Sequence, residues 1–199
     1  MGEETQKSQR QIQKERTRER LIETAMEAYG RYGILAVTTA DIARASGVSH
    51  GTVFAHFGTQ EALLDTVIEA FGMRLSRRLH ELAASRKGLR DILSAHIQGL
   101  MEHERFYTRL VTERRLLPQS ARHTLTAIQS AISFHIGQAA MEDMAAGRIG
   151  DYPIHLLFNT WVGLLHHYIV NSDLFVAEGS VLARYGTDLL DHYMRLITH

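Results

Sequence analysis

The stretch that decides the fold is TTADIARASGVSHGTVFAHF, residues Thr38–Phe57. Thr38 and Ser49 each precede a segment of about two helical turns, and their hydroxyls can cap the free N–H groups at a helix start. Asp41, three residues after Thr38, completes a variant of the capping box. Gly47, between the two segments, is typical of a residue that ends a helix. The stretch therefore predicts two short helices joined by a tight turn, which is a helix-turn-helix.

The start of the second short helix has an unusual composition. It reads Ser49-His50-Gly51-Thr52, which is rich in small hydrogen-bonding residues and has no large apolar side chain. In DNA-binding helix-turn-helix units this part enters the major groove, and helix N-termini favour anions. A helix that only packs against its neighbours does not need such a surface. The composition predicts a DNA-binding surface, although such pairs also occur as plain packing units.

Apolar residues at helical spacing predict seven further helices, so the predicted fold class is all-α, with nine helices. Pro118 and Pro153 are the only prolines. Pro118 falls between two predicted helices, and Pro153 follows Asp151 at the start of another, where proline is tolerated. The seven predicted ranges are Arg18–Tyr32, Gln60–Arg86, Leu89–Glu102, Arg105–Leu117, Ser120–Ala146, a helix that starts near Asp151 and reaches Val170, and Glu178–Ile197.

The composition excludes several classes of protein. The 199 residues include 22 basic and 22 acidic ones, 45% are hydrophobic, and cysteine is absent, which excludes disulfides, thiolate metal sites and cysteine nucleophiles. The lack of cysteine suits a reducing cytoplasm. His166 and His167 interrupt the best apolar run, so we expect no membrane span. The N-terminus is polar, so we also expect no signal peptide and a cytoplasmic location.

Basic residues are concentrated near the N-terminus. Six lie between Lys7 and Arg20, against Glu15 and Glu19 as the acidic ones. Most charge runs are solvated polar segments. The alternative is an arm that lies near phosphates, and the sequence leaves both interpretations open.

The residues from the first predicted helix into the fourth resemble the DNA-binding region of the tetracycline-repressor (TetR) family of bacterial transcriptional regulators. Order and spacing hold over about a quarter of the chain. The residues that carry the resemblance are Ile22, Ala25, Met26, Tyr29, Gly33, Thr38, Asp41, Ile42, Ala43, Gly47, Val48, Ser49, Gly51, Thr52, Val53, Phe54, His56, Phe57, Glu61 and Leu64. It implies a nine-helix fold, with an arm and DNA-binding domain in residues 1–60 and an effector-binding and dimerisation domain in residues 61–199.

The resemblance also implies DNA-contacting positions. In the family, positions matching Thr38, Thr39, Phe54, His56 and Gln60 contact phosphates, the one matching Ala40 can face bases, and those matching Ser49, His50, Gly51 and Thr52 face the groove. We expect His50 to contact a base edge, since it combines reach with polarity. Two positions depart from the family: Phe54 replaces the common tyrosine and Gln60 the common lysine, which removes two phosphate contacts that the basic run could replace. Alternatively, Phe54 is a core residue and His56 a buried cap.

The resemblance assigns two functions to the rest of the chain, and the first is pairing of two copies through the last two helices. The helix that reaches Val170 carries more apolar residues than one buried face needs, and the last helix carries an apolar stripe. Together they predict a homodimer on a palindromic operator in double-stranded DNA. The alternative is that both apolar stripes face the chain's own core. The predicted dimerisation residues are Leu157, Trp161, Leu164, Leu165, Tyr168, Leu182, Leu189 and Tyr193.

The second implied function is binding of a small-molecule effector. Apolar candidates for a cavity lining are Phe106, Tyr107, Phe134, Met141, Met144 and Phe158. His96, Arg109, His135 and Asn159 are polar candidates that would orient a ligand. The same apolar residues are also typical of an ordinary core, and the sequence does not indicate the ligand's class.

Metal and catalytic patterns are absent from the sequence. The histidines are scattered, no H-x-x-x-H pair encloses a glutamate, and no nucleophile elbow or phosphate-cradling glycine loop occurs. We therefore expect neither metal, cofactor nor enzymatic activity. The predicted function is a homodimeric repressor released from its operator by a small molecule. The alternatives are a DNA-binding protein that responds to a protein partner, and a helical enzyme or haem-type binder with a coincidental helix-turn-helix.

Overall fold

The computed structural model describes residues 2–83 and 88–198. Within these ranges the chain forms nine α-helices and two 3₁₀ turns, without a β-strand, so the all-α prediction is confirmed. The helices are α1 (Gly2–Tyr32), α2 (Thr39–Ser46), α3 (His50–Phe57), α4 (Gln60–Ala83), α5 (Leu89–Met101), α6 (Glu104–Glu113), α7 (Gln119–Ala145), α8 (Ile154–Val170) and α9 (Val181–Ile197). The 3₁₀ turns are Arg114–Leu116 and Ser172–Leu174.

The starts of α1 and α9 differ from the predicted ones. Helix α1 begins at Gly2, not near Arg18, because the intervening Glu, Gln, Lys and Arg residues are good helix formers with no apolar pattern to announce them. Helix α9 begins at Val181 because the Ser180 hydroxyl caps it. The predicted end of α4 at Arg86 lies outside the described residues.

Helices α1, α2 and α3 form a small N-terminal unit, called the head below. Its core contains the fully buried Leu21, Ala25 and Ile42 together with Val53. Helix α4 packs against α1 and α3 of this unit and also against α5 and α7. A movement of α4 would therefore change its contacts both with this unit and with α5 and α7.

Helices α4 to α9 form the larger unit, called the body below. Its helices approach closely: a Cβ atom on Gly72 would lie 2.5 Å from Ile128 of α7, and one on Gly99 would lie 2.5 Å from Leu75 of α4. Trp161 is fully buried against Tyr193, with ring centroids 5.1 Å apart. None of the described helices is both long and apolar enough to cross a membrane.

The predicted dimerisation residues divide into two groups. Leu164 and Tyr168 are half-buried. The other six differ from the prediction, since their side chains are buried in the chain's own core and leave no surface for a partner: Leu157, Trp161, Leu165, Leu182, Leu189 and Tyr193. The reason is that α8 and α9 pack against each other, and α9 also against α5, so their most apolar faces turn inward. The exposed stripe of α8 consists of other residues, among them Leu156, Thr160, Gly163 and Val170.

Candidate nucleic-acid interface

Helix α2 begins with the predicted capping box. The Asp41 backbone N–H donates to the Thr38 hydroxyl oxygen (3.3 Å), and the Asp41 carboxylate accepts from the Thr38 N–H (3.1 Å) and hydroxyl (2.6 Å). These hydrogen bonds from Thr38 lower the pKa of Asp41 below its ordinary value, with a smaller contribution from Arg44. The start of α2 is thereby fixed, and Ala40 is held at the surface.

A left-handed glycine sets the angle between α2 and α3. Gly47 has φ +66° and ends α2 by donating to carbonyls of its last turn, and Val48 N–H bonds to the Ala43 carbonyl (3.0 Å). An L side chain is disfavoured at this φ. Ser49 then caps α3, since its hydroxyl accepts from the Thr52 N–H (3.1 Å) and lies 2.8 Å from the Thr52 hydroxyl. The predicted caps and turn are therefore present.

His50 is held in place from two sides. Its Nε2 lies 2.9 Å from the Thr39 hydroxyl, and its ring meets the Phe54 ring edge-on at 4.7 Å between centroids. Thr39 is 6% exposed, so its hydroxyl lies beneath α3 at His50 and not at the surface where a phosphate contact was expected. The buried hydroxyl instead orients the residue predicted to contact a base.

The exposed face of α3 is narrow and open. His50, Gly51, Phe54 and Ala55 are exposed, and a Cβ atom on Gly51 would meet nothing closer than the Ser49 hydroxyl at 3.8 Å. Phe54 is 42% exposed, which excludes the core alternative for it. A surface of this kind allows close approach of a broad, flat partner.

Arg44 of α2 is an exposed cation that is not among the predicted DNA-contacting residues. It lies one turn after the exposed Ala40 on α2, and its side chain is 79% exposed and 3.2 Å from Asp41. The i, i+4 spacing from Ala40 was the signal that could have identified it. Phosphates are attracted by such a cation.

Gln60 and His56 occupy positions where phosphate contacts were expected. Gln60 is exposed, and its amide donates to the Val37 carbonyl (3.3 Å), which ties the start of α4 to the turn before α2. His56 is half-buried, and its Nδ1 atom is buried without a hydrogen-bond partner. Burial lowers the pKa of His56, and the cations Lys14 and Arg18 lower it further.

The predicted effector residues are not brought together around one cavity. His96, Phe106 and Tyr107 are buried in the core, whereas Phe134 and Met141 are exposed on α7 at 63% and 46%. The predicted His135 and Asn159 are also exposed, and Phe158 and Arg109 are half-buried. Two surface grooves between α1 and α6 include one predicted residue each, Phe106 in one and Arg109 in the other.

Two of these residues belong to a buried polar cluster in the body. The Trp161 indole N–H donates to His96 Nδ1 (3.1 Å), and burial lowers the pKa of His96 to about 3, with a smaller effect of His166. The Tyr107 hydroxyl lies 2.7 Å from His166 Nε2. Burial raises the pKa of Tyr107, and the side chain of Gln129 partly offsets this effect. Sequence periodicity did not identify His166 or Gln129, because their partners are far away in sequence.

Metal ligation has no structural support in the described residues. Nowhere in residues 2–83 and 88–198 do three or more histidine, aspartate or glutamate side chains come together in a group that could hold an ion. His96 uses its Nδ1 for the Trp161 indole instead.

Comparison with known proteins identifies the helix-turn-helix segment. Residues 21–67 match the family model of the bacterial regulatory proteins of the tetR family. The HTH-type transcriptional repressor Rv3405c of Mycobacterium tuberculosis is 38% identical over 63 residues, 32% of this chain and 34% of the relative. The probable acrEF/envCD operon repressor of Escherichia coli K12 is 28% identical over 91 residues, 46% of this chain and 34% of that protein. The chain thus spans about a third of the length of these curated relatives.

Solved structures extend the likeness to the whole fold. A TetR-family regulator from Agrobacterium tumefaciens superimposes with a TM-score of 0.78 at 15% identity, covering 94% of this chain and 100% of that one. The ketosteroid regulator KstR2 of Mycobacterium tuberculosis gives 0.73 at 18% identity, covering 92% and 95%. The resemblance to the TetR family is therefore confirmed. Residues 21–67 are a TetR-type segment by sequence, and the chain has the fold of TetR-family regulators.

Proposed function

We propose that this chain is a homodimeric, sequence-specific DNA-binding transcriptional regulator that represses its target and acts in the cytoplasm. The observation that carries the proposal is the start of α3, where Ser49 and Thr52 fix the backbone, Gly51 leaves it open, and His50 is anchored by Thr39. A helix start of this shape suits the major groove. The described relatives are transcriptional repressors by name, which supports the same class.

The exposed faces of α8 and α9 support the homodimer. Leu156 and Val170 of α8 are 54% and 41% exposed, and Leu196 of α9 is 58% exposed. Gly163 lies between the first two on the exposed stripe and has open space around it, which allows a partner helix to come close. We assign the interface to this stripe, so the double variant Leu156→Asp/Leu196→Asp should sediment as a monomer. Leu116→Asp, at a site 70% exposed on the 3₁₀ turn, should leave the dimer intact.

Contacts of α6 support coupling between the body and the head. Glu113, near its end, accepts from the Leu35 N–H in the turn after α1 (3.0 Å). Glu104, at its start, accepts from the Val181 N–H at the start of α9 (2.8 Å). Arg74 of α4 pairs with Glu23 of α1. A shift of α4 or α6 would therefore alter how the head is held, and effector and DNA affinities would be reciprocally linked.

We assign the effector's polar contacts to the cluster of the buried Tyr107 and the half-buried His166 and Gln129. Their hydroxyl, imidazole and amide groups would orient a ligand that opens the apolar core around them. An effector of this kind should weaken operator binding, and operator DNA should weaken effector binding by the same factor. Equal effector affinity with and without operator would contradict this part of the proposal.

Selection of bound duplexes from a random DNA pool at near-physiological salt tests the central proposal, since non-specific binding is weak there. We expect enrichment of a two-fold symmetric site, and its loss in His50→Ala. His135→Ala is the matched control, because His135 is exposed and also has an edge-on phenylalanine contact, to Phe134 at 5.8 Å. A folded, dimeric protein that enriches no site would overturn the proposal.

A second candidate is a DNA-binding regulator that responds to a protein partner and takes no small molecule. The close packing of α4 against α7 and α5 at Gly72 and Gly99 favours it, because a tightly closed body leaves little room for a ligand. Hydrogen exchange at α4, α6 and α7 discriminates the two. Slow exchange throughout these helices favours the partner, whereas rapid opening of α6 around Tyr107 favours the small molecule.

A further inference from the structure

Helix α1 extends past the core of the head on its N-terminal side. Every residue from Gln9 to Arg16 is exposed, and Leu21 is the first fully buried residue after them. Apart from Ile12 this segment is polar, so it gains little stability from packing, and an isolated helix of this length is marginal in water. The segment therefore has a surface that the rest of the protomer does not use.

One face of this segment carries a row of cations. Arg10, Lys14 and Arg18 are spaced by four residues, so they lie one above another on the helix. They line a groove of about 630 Å³ whose opposite wall is Ala55 and His56 of α3, with Gln11 and Glu15 also lining it. The Arg18 guanidinium lies 5.3 Å from the centre of the Phe57 ring, which holds this end of the row against α3.

The groove is electropositive. Its lining contains the cations Arg10, Lys14 and Arg18 and one carboxylate, that of Glu15. Burial lowers the pKa of His56, and the positive charges of Lys14 and Arg18 lower it further, while Glu15 acts in the opposite direction. A negatively charged group is therefore favoured beside this wall of the groove.

The groove is continuous with the exposed face of α3. Ala55, which lines it, lies one turn after Gly51, and both are exposed. A duplex seated on the start of α3 would therefore run past the mouth of the groove. Its backbone carries one negative charge per about 1.7 Å of axis, so phosphates pass within reach of a row of cations that are spaced about 6 Å apart.

We propose that this groove binds backbone phosphates of the DNA beside the base pairs that α3 contacts, with Arg10 and Lys14 as the contacting cations. The proposal rests on the proposed function, since it adds phosphate contacts to the same duplex. It also replaces the phosphate contacts that Phe54 and Gln60 do not supply. The occupant is double-stranded DNA because the row of cations lies beside α3, the helix that we propose enters the major groove, and a duplex bound there carries a continuous line of phosphates past the row.

The test is the salt dependence of affinity for the selected duplex, measured by fluorescence anisotropy. The test variant is Arg10→Gln/Lys14→Gln, and its control is Arg16→Gln/Arg20→Gln. Both control residues are exposed, lie away from the row of cations on the same helix and do not line the groove. The two variants lose the same charge, so the comparison separates an effect of the groove from an effect of total charge.

We expect the test variant to lower the slope of log affinity against log salt by about 0.9 for each phosphate that the protein no longer neutralises. Affinity should fall by about tenfold or more at low salt, with unchanged preference among sites, and ethylation of the flanking phosphates should interfere with wild-type binding only. The control variant should retain most of the slope.

Two results would overturn the inference while leaving the proposed function intact. One is an unchanged slope in the test variant. The other is an equal loss of slope in both variants, because the effect would then come from the total positive charge of α1 and not from the groove. If the wild-type protein binds no duplex specifically, the proposed function itself is overturned and the groove proposal is overturned with it.

Discussion

The head and the body of this molecule differ in how they resemble other proteins. The family model matches residues 21–67, which cover most of the head and the start of α4. The fold match covers more than nine-tenths of the chain at 15–18% identity. The head thus resembles TetR-family regulators in sequence, whereas the chain as a whole resembles them in fold.

This difference has a physical reason. The proposed DNA-binding surface requires small residues, caps and cations at defined points, and the residues that we assign to it include Gly51, Ser49 and Arg44. A helical core requires apolar side chains of suitable volume, and many combinations satisfy that requirement. Four predictions test this contrast, two in the body and two in the head.

The largest expected effect is in the body. Trp161→Ala should lower the free energy of unfolding by about 3–5 kcal/mol, since it leaves a cavity beside Tyr193 and removes the donor to His96. Phe134→Ala, at a site 63% exposed, should change it by less than about 0.5 kcal/mol. Urea denaturation measures both. Similar losses in the two variants would contradict the assignment of Trp161 to the core.

The second effect is a pH dependence from His96. Its pKa is about 3 in the folded chain against an ordinary 6.5, so between these values the unfolded chain binds one more proton. The free energy of unfolding should therefore fall as the pH falls from 6.5, by about 1.4 kcal/mol per pH unit from this residue. His96→Asn should remove this slope, because its amide oxygen can still accept from Trp161 and does not titrate.

Exposed His123→Asn on α7 is the control for this measurement. Urea denaturation at several pH values between 5 and 7 gives the slopes. The role assigned to His96 fails if the two variants have the same slope as the wild-type chain.

The third effect is local to the head. Thr38→Val should lower the free energy of unfolding by about 1 kcal/mol, since it removes the hydroxyl that caps α2 and leaves the side-chain volume nearly unchanged. Thr126→Val, in the interior of α7 where the hydroxyl bonds the Arg122 carbonyl one turn back, should have a smaller effect. A larger loss at Thr126 would show that the cap is not what stabilises α2.

The smallest effect on stability is expected at Arg44. Its ion pair with Asp41 is exposed, so Arg44→Gln should change the free energy of unfolding by less than about 0.5 kcal/mol. The same variant should lower the salt slope of DNA binding by about 0.9 per half-site. Arg115→Gln, exposed on the 3₁₀ turn of the body, should change neither quantity. An unchanged slope in Arg44→Gln would remove it from the interface.

Local sequence predicted the head well and the body less well. The caps at Thr38 and Ser49 and the break at Gly47 follow from groups within five residues of one another. Local sequence did not predict which effector candidates are buried, since Phe134 and Phe106 have the same apolar character but Phe134 is exposed and Phe106 is buried. Periodicity identifies a stripe on a helix, and it does not identify which neighbour the stripe meets.

By itself, the sequence determined the all-α class, because apolar residues recur at helical spacing. It also determined the helix-turn-helix and its capped ends, because hydrogen bonds within one turn decide where those helices start and stop. The tertiary structure alone decided that Trp161 is buried in its own chain, that the Thr39 hydroxyl lies at His50, and that Arg10 and Lys14 line a groove with His56. Each of these depends on residues brought together from distant parts of the chain. Such contacts form only when whole helices pack, and no short stretch of sequence specifies them.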